Sequence, residues 1–166
     1  MAALDSPPAT IATIDEPEIE LLLLANHVEG INGLLFVSGG GWTDFHRPVQ
    51  PGQAPPPSHF GIGVGVRVPW NETNRVHRLE VYIEDRDAAT QVANVNAQFN
   101  VGRPAGLPPG EDQHTVLALN VDFVFPKAGG YRVVARLDGN TRARTWSFRI
   151  HDIMSTAPPG GMPLAK

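Results

Sequence analysis

Residues 125–150 decide the fold: Phe125-Pro126-Lys127-Ala128-Gly129-Gly130-Tyr131-Arg132-Val133-Val134-Ala135-Arg136-Leu137-Asp138-Gly139-Asn140-Thr141-Arg142-Ala143-Arg144-Thr145-Trp146-Ser147-Phe148-Arg149-Ile150. From Tyr131 the chain alternates, with Tyr131, Val133, Ala135 and Leu137 on one side and Arg132, Val134, Arg136 and Asp138 on the other. The alternation resumes after Asp138-Gly139-Asn140, where Trp146, Phe148 and Ile150 oppose Thr145, Ser147 and Arg149. Apolar residues at period two mark half-buried strands, and Asp-Gly between two such runs marks a hairpin, because glycine accepts positive φ. Parity then limits the loop. Directly opposed residues share a face, so an even loop sets Tyr131 and Val133 beside Trp146 and Phe148, whereas a one-residue slip throws both aromatics to the wrong side. The even loop is expected. It leaves Arg142 and Arg144 on the apolar face near the turn, their heads snorkelling past the rim.

Working outward, the Pro-x-x-Gly-Gly-Tyr stretch resembles the corner that enters the penultimate strand of immunoglobulin-like domains, where a tyrosine hydroxyl bonds back to the corner backbone. Upstream lie further candidate strands at roughly 18–29, 33–43, 59–69, 75–85, 92–102 and 113–125. With 130–138 and 141–152 they make eight. Gly30-Ile31-Asn32-Gly33 reads as a hairpin turn. Two Pro/Gly loops, 48–58 and 103–112, interrupt the series, and a single helical turn is expected near Trp70–Asn74. Many short strands at near-regular spacing predict an all-β protein, an antiparallel β-sandwich of immunoglobulin-like type, with a jelly roll as the alternative order. The sandwich is expected over 18–153, between a flexible acidic lead (1–17) and a flexible Pro/Gly tail (154–166).

One strand differs from the rest. In Phe60-Gly61-Ile62-Gly63-Val64-Gly65-Val66 every second residue is glycine. Its apolar side belongs to the core; its flat side invites a cover, whether the proline-rich loop, the N-terminal lead or another chain.

Composition narrows the function classes. At 166 residues the chain is one domain, with enough apolar content for a core and no cysteine for disulfides, thiolate sites or thiol catalysis. The net charge of −4 is uneven: residues 1–20 hold five of the 17 acids and no base, so 13 bases face 12 acids over the rest. A near-neutral body lacks the basic footprint of a nucleic-acid surface. The acidic N-terminus is unlike a signal or transit peptide, and the apolar run 19–25 is too short to span a bilayer; a cytoplasmic protein is expected, with no membrane partner.

No motif carries chemistry. Gly61-x-Gly63-x-Gly65 has the wrong spacing for a dinucleotide fingerprint, and Gly39-Gly40-Gly41 lacks the Lys-Ser/Thr of a phosphate loop. Ser58 and His59 point to opposite strand faces, and Glu80 and Glu84 lie on a solvated face between Arg78 and Arg86. Asp44 and His46 share a strand face, and His27 on a neighbouring strand would complete a metal trio. The loop Trp70, Asn71, Glu72, Asn74 and Arg75, together with Trp42, Asp44 and His46, gathers indoles, amides and charges of the kind that recognise partners.

Several segments also resemble one family. They are Leu22-Leu23-Leu24-Ala25-Asn26-His27, Asn32 through Gly39-Gly40-Gly41-Trp42, Val68-Pro69-Trp70-Asn71-Glu72-Thr73-Asn74, and Phe99-Asn100-Val101-Gly102-Arg103-Pro104 followed by Gly106, Pro108 and Gly110. Together they resemble small uncharacterised actinobacterial single-domain proteins over residues 18–150. The resemblance implies a single domain and transfers no catalytic residue. The expected role is a non-catalytic module for protein interaction or assembly, with a protein partner or a second copy and no cofactor. The rival is a small-molecule or metal-binding protein, or an enzyme, centred on His27, Asp44 and His46.

Overall fold

The computed structural model describes residues 16–154. Nine strands form two packed sheets: β1 (Glu18–Ile31), β2 (Leu34–Gly40), β3 (Asp44–Val49), β4 (Ser58–Val68), β5 (Val76–Asp85), β6 (Thr90–Asn100), β7 (Gln113–Phe123), β8 (Gly129–Leu137) and β9 (Ala143–Met154). The first sheet runs β2-β1-β4-β7 and the second β3-β9-β8-β5-β6. Every pairing is antiparallel except β3 with β9. The one helical turn among the described residues is Trp70–Glu72, in 3-10 form. The protein is an all-β sandwich, and no helix among the described residues is long and apolar enough to cross a membrane. The expectations for the two termini fall almost wholly outside the described residues.

The closing hairpin has the expected register. Tyr131 opposes Phe148, Val133 opposes Trp146, and the last rung joins Arg136 to Ala143, leaving an even loop. The loop turns at Asp138 (φ 49°) and Gly139 (φ 71°). Arg144 reaches across the sandwich, where its Nε donates to the Ile19 carbonyl at 2.8 Å. Tyr131, fully buried, donates its hydroxyl to the Lys127 carbonyl at 2.9 Å. Beneath it Phe125, Phe60, Phe148 and Trp42 form an aromatic layer whose contacting rings have centroids 5.7–6.2 Å apart.

Four expectations need correction. The stretch 33–43 is not one strand: β2 ends at Gly40, and Asp44–Val49 is a separate strand in the other sheet rather than the start of a loop. Gly39 (φ 60°) and Gly41 (φ 85°) make that crossing, and the Gly41 amide bonds the Leu24 carbonyl at 2.7 Å. The strand count therefore rises from eight to nine. The outward faces of β5 and β8 are not wholly wet either, since Tyr82 and Val134 are buried side by side beneath Arg136. Finally, the cover over the glycine strand is none of the segments expected. It is the distal half of the β1–β2 hairpin: a Cβ on Gly61 would lie 2.9 Å from both the amide and Cγ2 of Val28, and one on Gly63 would lie 2.8 Å from Leu35 Cδ2. Asn120 pins the hairpin, its amide accepting from Val28 N and donating to Val28 O, as a ladder rung would.

Candidate functional surfaces

The Trp70–Arg75 connection turns its polar groups largely on itself. Pro69 fixes the entry, and the Glu72 amide bonds the Pro69 carbonyl at 2.9 Å. Thr73 Oγ1 donates to the Trp70 carbonyl at 2.7 Å and accepts from Arg103 Nε at 2.6 Å. Arg103 Nη2 reaches the same carbonyl, and its guanidinium lies 4.1 Å from the indole centroid of Trp70. Asn74 takes a positive φ of 61° and its amide bonds the Val101 carbonyl. Arg75 pairs with Glu72 at 2.8 Å. Beneath the turn His77 is fully buried against Phe99, and each of its ring nitrogens faces an oxygen: the Glu72 carbonyl at one end and Asp138 Oδ2 at the other, both at 2.8 Å. The segment thus ties the long 101–112 loop, β5 and the closing turn together. Arg103 and His77, which the sequence reading passed over, are its anchors; neither partner lies within reach of a local motif, since Thr73 and Asp138 come from elsewhere in the chain.

Trp42 is half-buried, edge-on to Phe148 and Phe60, and its carbonyl accepts from Trp146 Nε1 at 3.0 Å. Asp44 and His46 share the outer face of β3, as expected. Parallel pairing sets His46 beside His151 of β9, their rings stacked at 4.8 Å, and His151 Nε2 lies 2.8 Å from Asp44 Oδ1. That bond, with a second from Thr43 Oγ1, holds the Asp44 carboxyl below its ordinary range. His27 is not with them. It sits on β1 in the first sheet, 3.2 Å from Glu29 and stacked on His59. The trio His27, Asp44 and His46 is therefore not brought together, and no group of three or more His, Asp or Glu among the described residues is placed to hold a metal ion.

The sandwich has four strand edges, and they differ. β3 carries Asp44, Arg47 and Pro48, devices that block further pairing. β7 carries His114 and Asp122. β6 is uncharged, but its outward row is the carboxamide series Asn94, Asn96, Gln98 and Asn100. β2, Leu-Leu-Phe-Val-Ser-Gly-Gly, has neither charge nor proline, and leaves Leu34 61 %, Phe36 51 % and Val37 40 % exposed beside Ile31.

No curated protein matches the chain. The model of a family of unknown function, DUF6941, matches residues 20–151 of the 166. It runs from within β1 to within β9 and so reaches all nine strands, and the chain belongs to that family.

Proposed function

We propose that the protein is a non-catalytic, immunoglobulin-like assembly module that pairs with a second copy of itself along the free edge of β2. The observation that carries this is the composition of that edge. An exposed strand without charge, proline or bulge is a template for pairing, and soluble proteins ordinarily disarm such edges. Two copies pairing about a two-fold axis set one short strand against itself, residue i facing j and j facing i, so a charge near the axis meets its own copy and self-pairing favours an edge without charges. Leu34 to Gly40 meets that requirement, whereas β3 and β7 carry charges and β6, though uncharged, presents a row of carboxamides and shifts register against β5. The immunoglobulin-like assignment is supported by the strand order of the two sheets and the Tyr131 corner bond. A cysteine-free chain suits a reducing cytoplasm.

Sedimentation equilibrium across about 1–200 μM, a range spanning Kd values of weak to moderate dimers, tests the reading. The native chain should dimerise, and Phe36→Lys should shift it to monomer while leaving unchanged the circular dichroism spectrum and the Tm measured at a concentration low enough for both chains to be monomeric. A native chain monomeric throughout that range sinks the proposal.

A further inference from the structure

The outer face of the second sheet is hollowed between the Trp70–Arg75 turn and the Asp138-Gly139 turn, a space of about 900 Å³ open to solvent on one side. Its floor is laid down by strand parity and register. β5 presents Arg78 and Glu80 outward, and β6 presents Gln98 and Asn96 directly opposite them. These four residues set one guanidinium, one carboxylate and two carboxamides side by side on one face of the sheet. None of the four makes a side-chain hydrogen bond or ion pair with another described residue.

That idleness is specific to this end of the sheet. At the other end Glu84 of β5 opposes Arg132 of β8, and the two are ion-paired. One repeat along, Glu80 opposes Arg136 in the same register. Here the pair is not made. Arg136 instead lays its guanidinium over the Tyr82 ring, 5.4 Å from the centroid, with its Nε buried and without a hydrogen-bond partner among the described residues. Glu80 is left facing the hollow. The other ionised groups at the rim already have partners: Arg75 pairs with Glu72, and Asp138 lies 2.8 Å from a ring nitrogen of His77.

We infer that this hollow is a binding site for a neutral saccharide. Guanidinium, carboxylate and carboxamide groups each present two hydrogen-bonding atoms in a plane, a spacing that matches pairs of adjacent hydroxyls, which donate and accept at once. The idle charges, Arg78 and Glu80, cancel, so the lining favours neither an anion nor a cation. The volume falls within the range of small-ligand sites. No exposed ring lies among the lining residues, so recognition rests on hydrogen bonds alone and a single site binds in the millimolar range. The site lies in the sheet that does not contain β2, so its failure and that of the assembly reading are separable.

The test is amide and side-chain NMR of the full chain titrated with cellobiose, maltose and trehalose to ~50 mM, well above a Kd of ~1 mM. Glucuronate, glucosamine and inorganic phosphate are run in parallel. At least one neutral disaccharide should move the signals of Arg78, Glu80, Asn96 and Gln98, and Glu80→Ala and Asn96→Ala should each weaken it about tenfold, the loss of one or two hydrogen bonds. Both positions face outward, so circular dichroism should show the native fold in each variant. The inference is overturned if no neutral disaccharide perturbs these residues, if a charged probe binds there more tightly than any neutral one, or if both variants bind as the native chain does.

Discussion

Tyr131 joins three parts of the sandwich through one side chain: its ring meets Phe125 edge-on and stacks on Phe148, and its hydroxyl holds the corner backbone at Lys127. Tyr131→Phe keeps the ring and deletes the bond, leaving the Lys127 carbonyl short of a donor. A loss of about 1 kcal/mol in urea unfolding is expected, and no loss would mean the corner holds without the hydroxyl. The Lys127 ammonium lies 2.9 Å from Asp85, which also caps the amides of Asp87 and Ala88. The bond from Lys127 first, then those from Ala88 and Asp87, holds the Asp85 carboxyl below its ordinary value of 3.8. A depressed carboxyl stabilises the fold above its unfolded pKa, and that contribution disappears as pH falls through the folded pKa. Asp85→Asn should therefore melt below the native chain at about pH 6, with the gap closing as pH drops toward ~2; a constant gap would assign the effect to packing instead. The tyrosine was legible because its partner lies four residues away in a recognisable corner. Arg103 was not, because its stacking on Trp70 joins segments that only the folded β5 and β6 bring together.

At the level of elements, the alternation that revealed eight strands failed where a charge occupies a core position. In β3 the inward residues are Phe45, Arg47 and Val49; Arg47 is buried, donating through Nε to Asp152 and through Nη1 to the Phe125 carbonyl, each at 2.6 Å. A sequence pattern records that inward arginine as polar and dissolves the strand. The same limit hid Tyr82 and Val134, whose cover is the aliphatic and guanidinium body of Arg136. The glycine strand, in contrast, announced a close approach, and only the identity of the cover was missing. Its glycines are not equivalent. A methyl on Gly61 meets the Val28 backbone amide, so the pinned hairpin itself must move; on Gly63 it meets the far ends of Leu35 and Leu23, which have other rotamers. Gly61→Ala should cost about 2–3 kcal/mol in chemical denaturation and Gly63→Ala under about 1.5, both within the overpacking range. Equal costs, or the reverse order, would show that the hairpin is not clamped at Val28.

For the whole molecule, the segments most characteristic of the sequence are spent on architecture: Gly39-Gly40-Gly41 carries the chain from one sheet to the other, and Arg103 fastens the longest described loop to the sandwich end. The two proposed sites differ in kind, since the β2 edge is apolar and the hollow polar but balanced. The distinction has a consequence for association. A dimer held by charged groups weakens steeply with salt, because exposed ion pairs are screened within a Debye length of ~8 Å at physiological ionic strength. Two neutral β2 edges have no such attraction to lose, and sulfate, excluded from apolar surface, strengthens their burial. The dimer Kd should therefore change less than about threefold between ~50 and ~500 mM sodium chloride and should tighten in ~0.5 M sodium sulfate. Sedimentation at each salt measures it. A Kd that rises tenfold or more with chloride would place the contact on the charged strands, β3 or β7, and remove β2 from the interface.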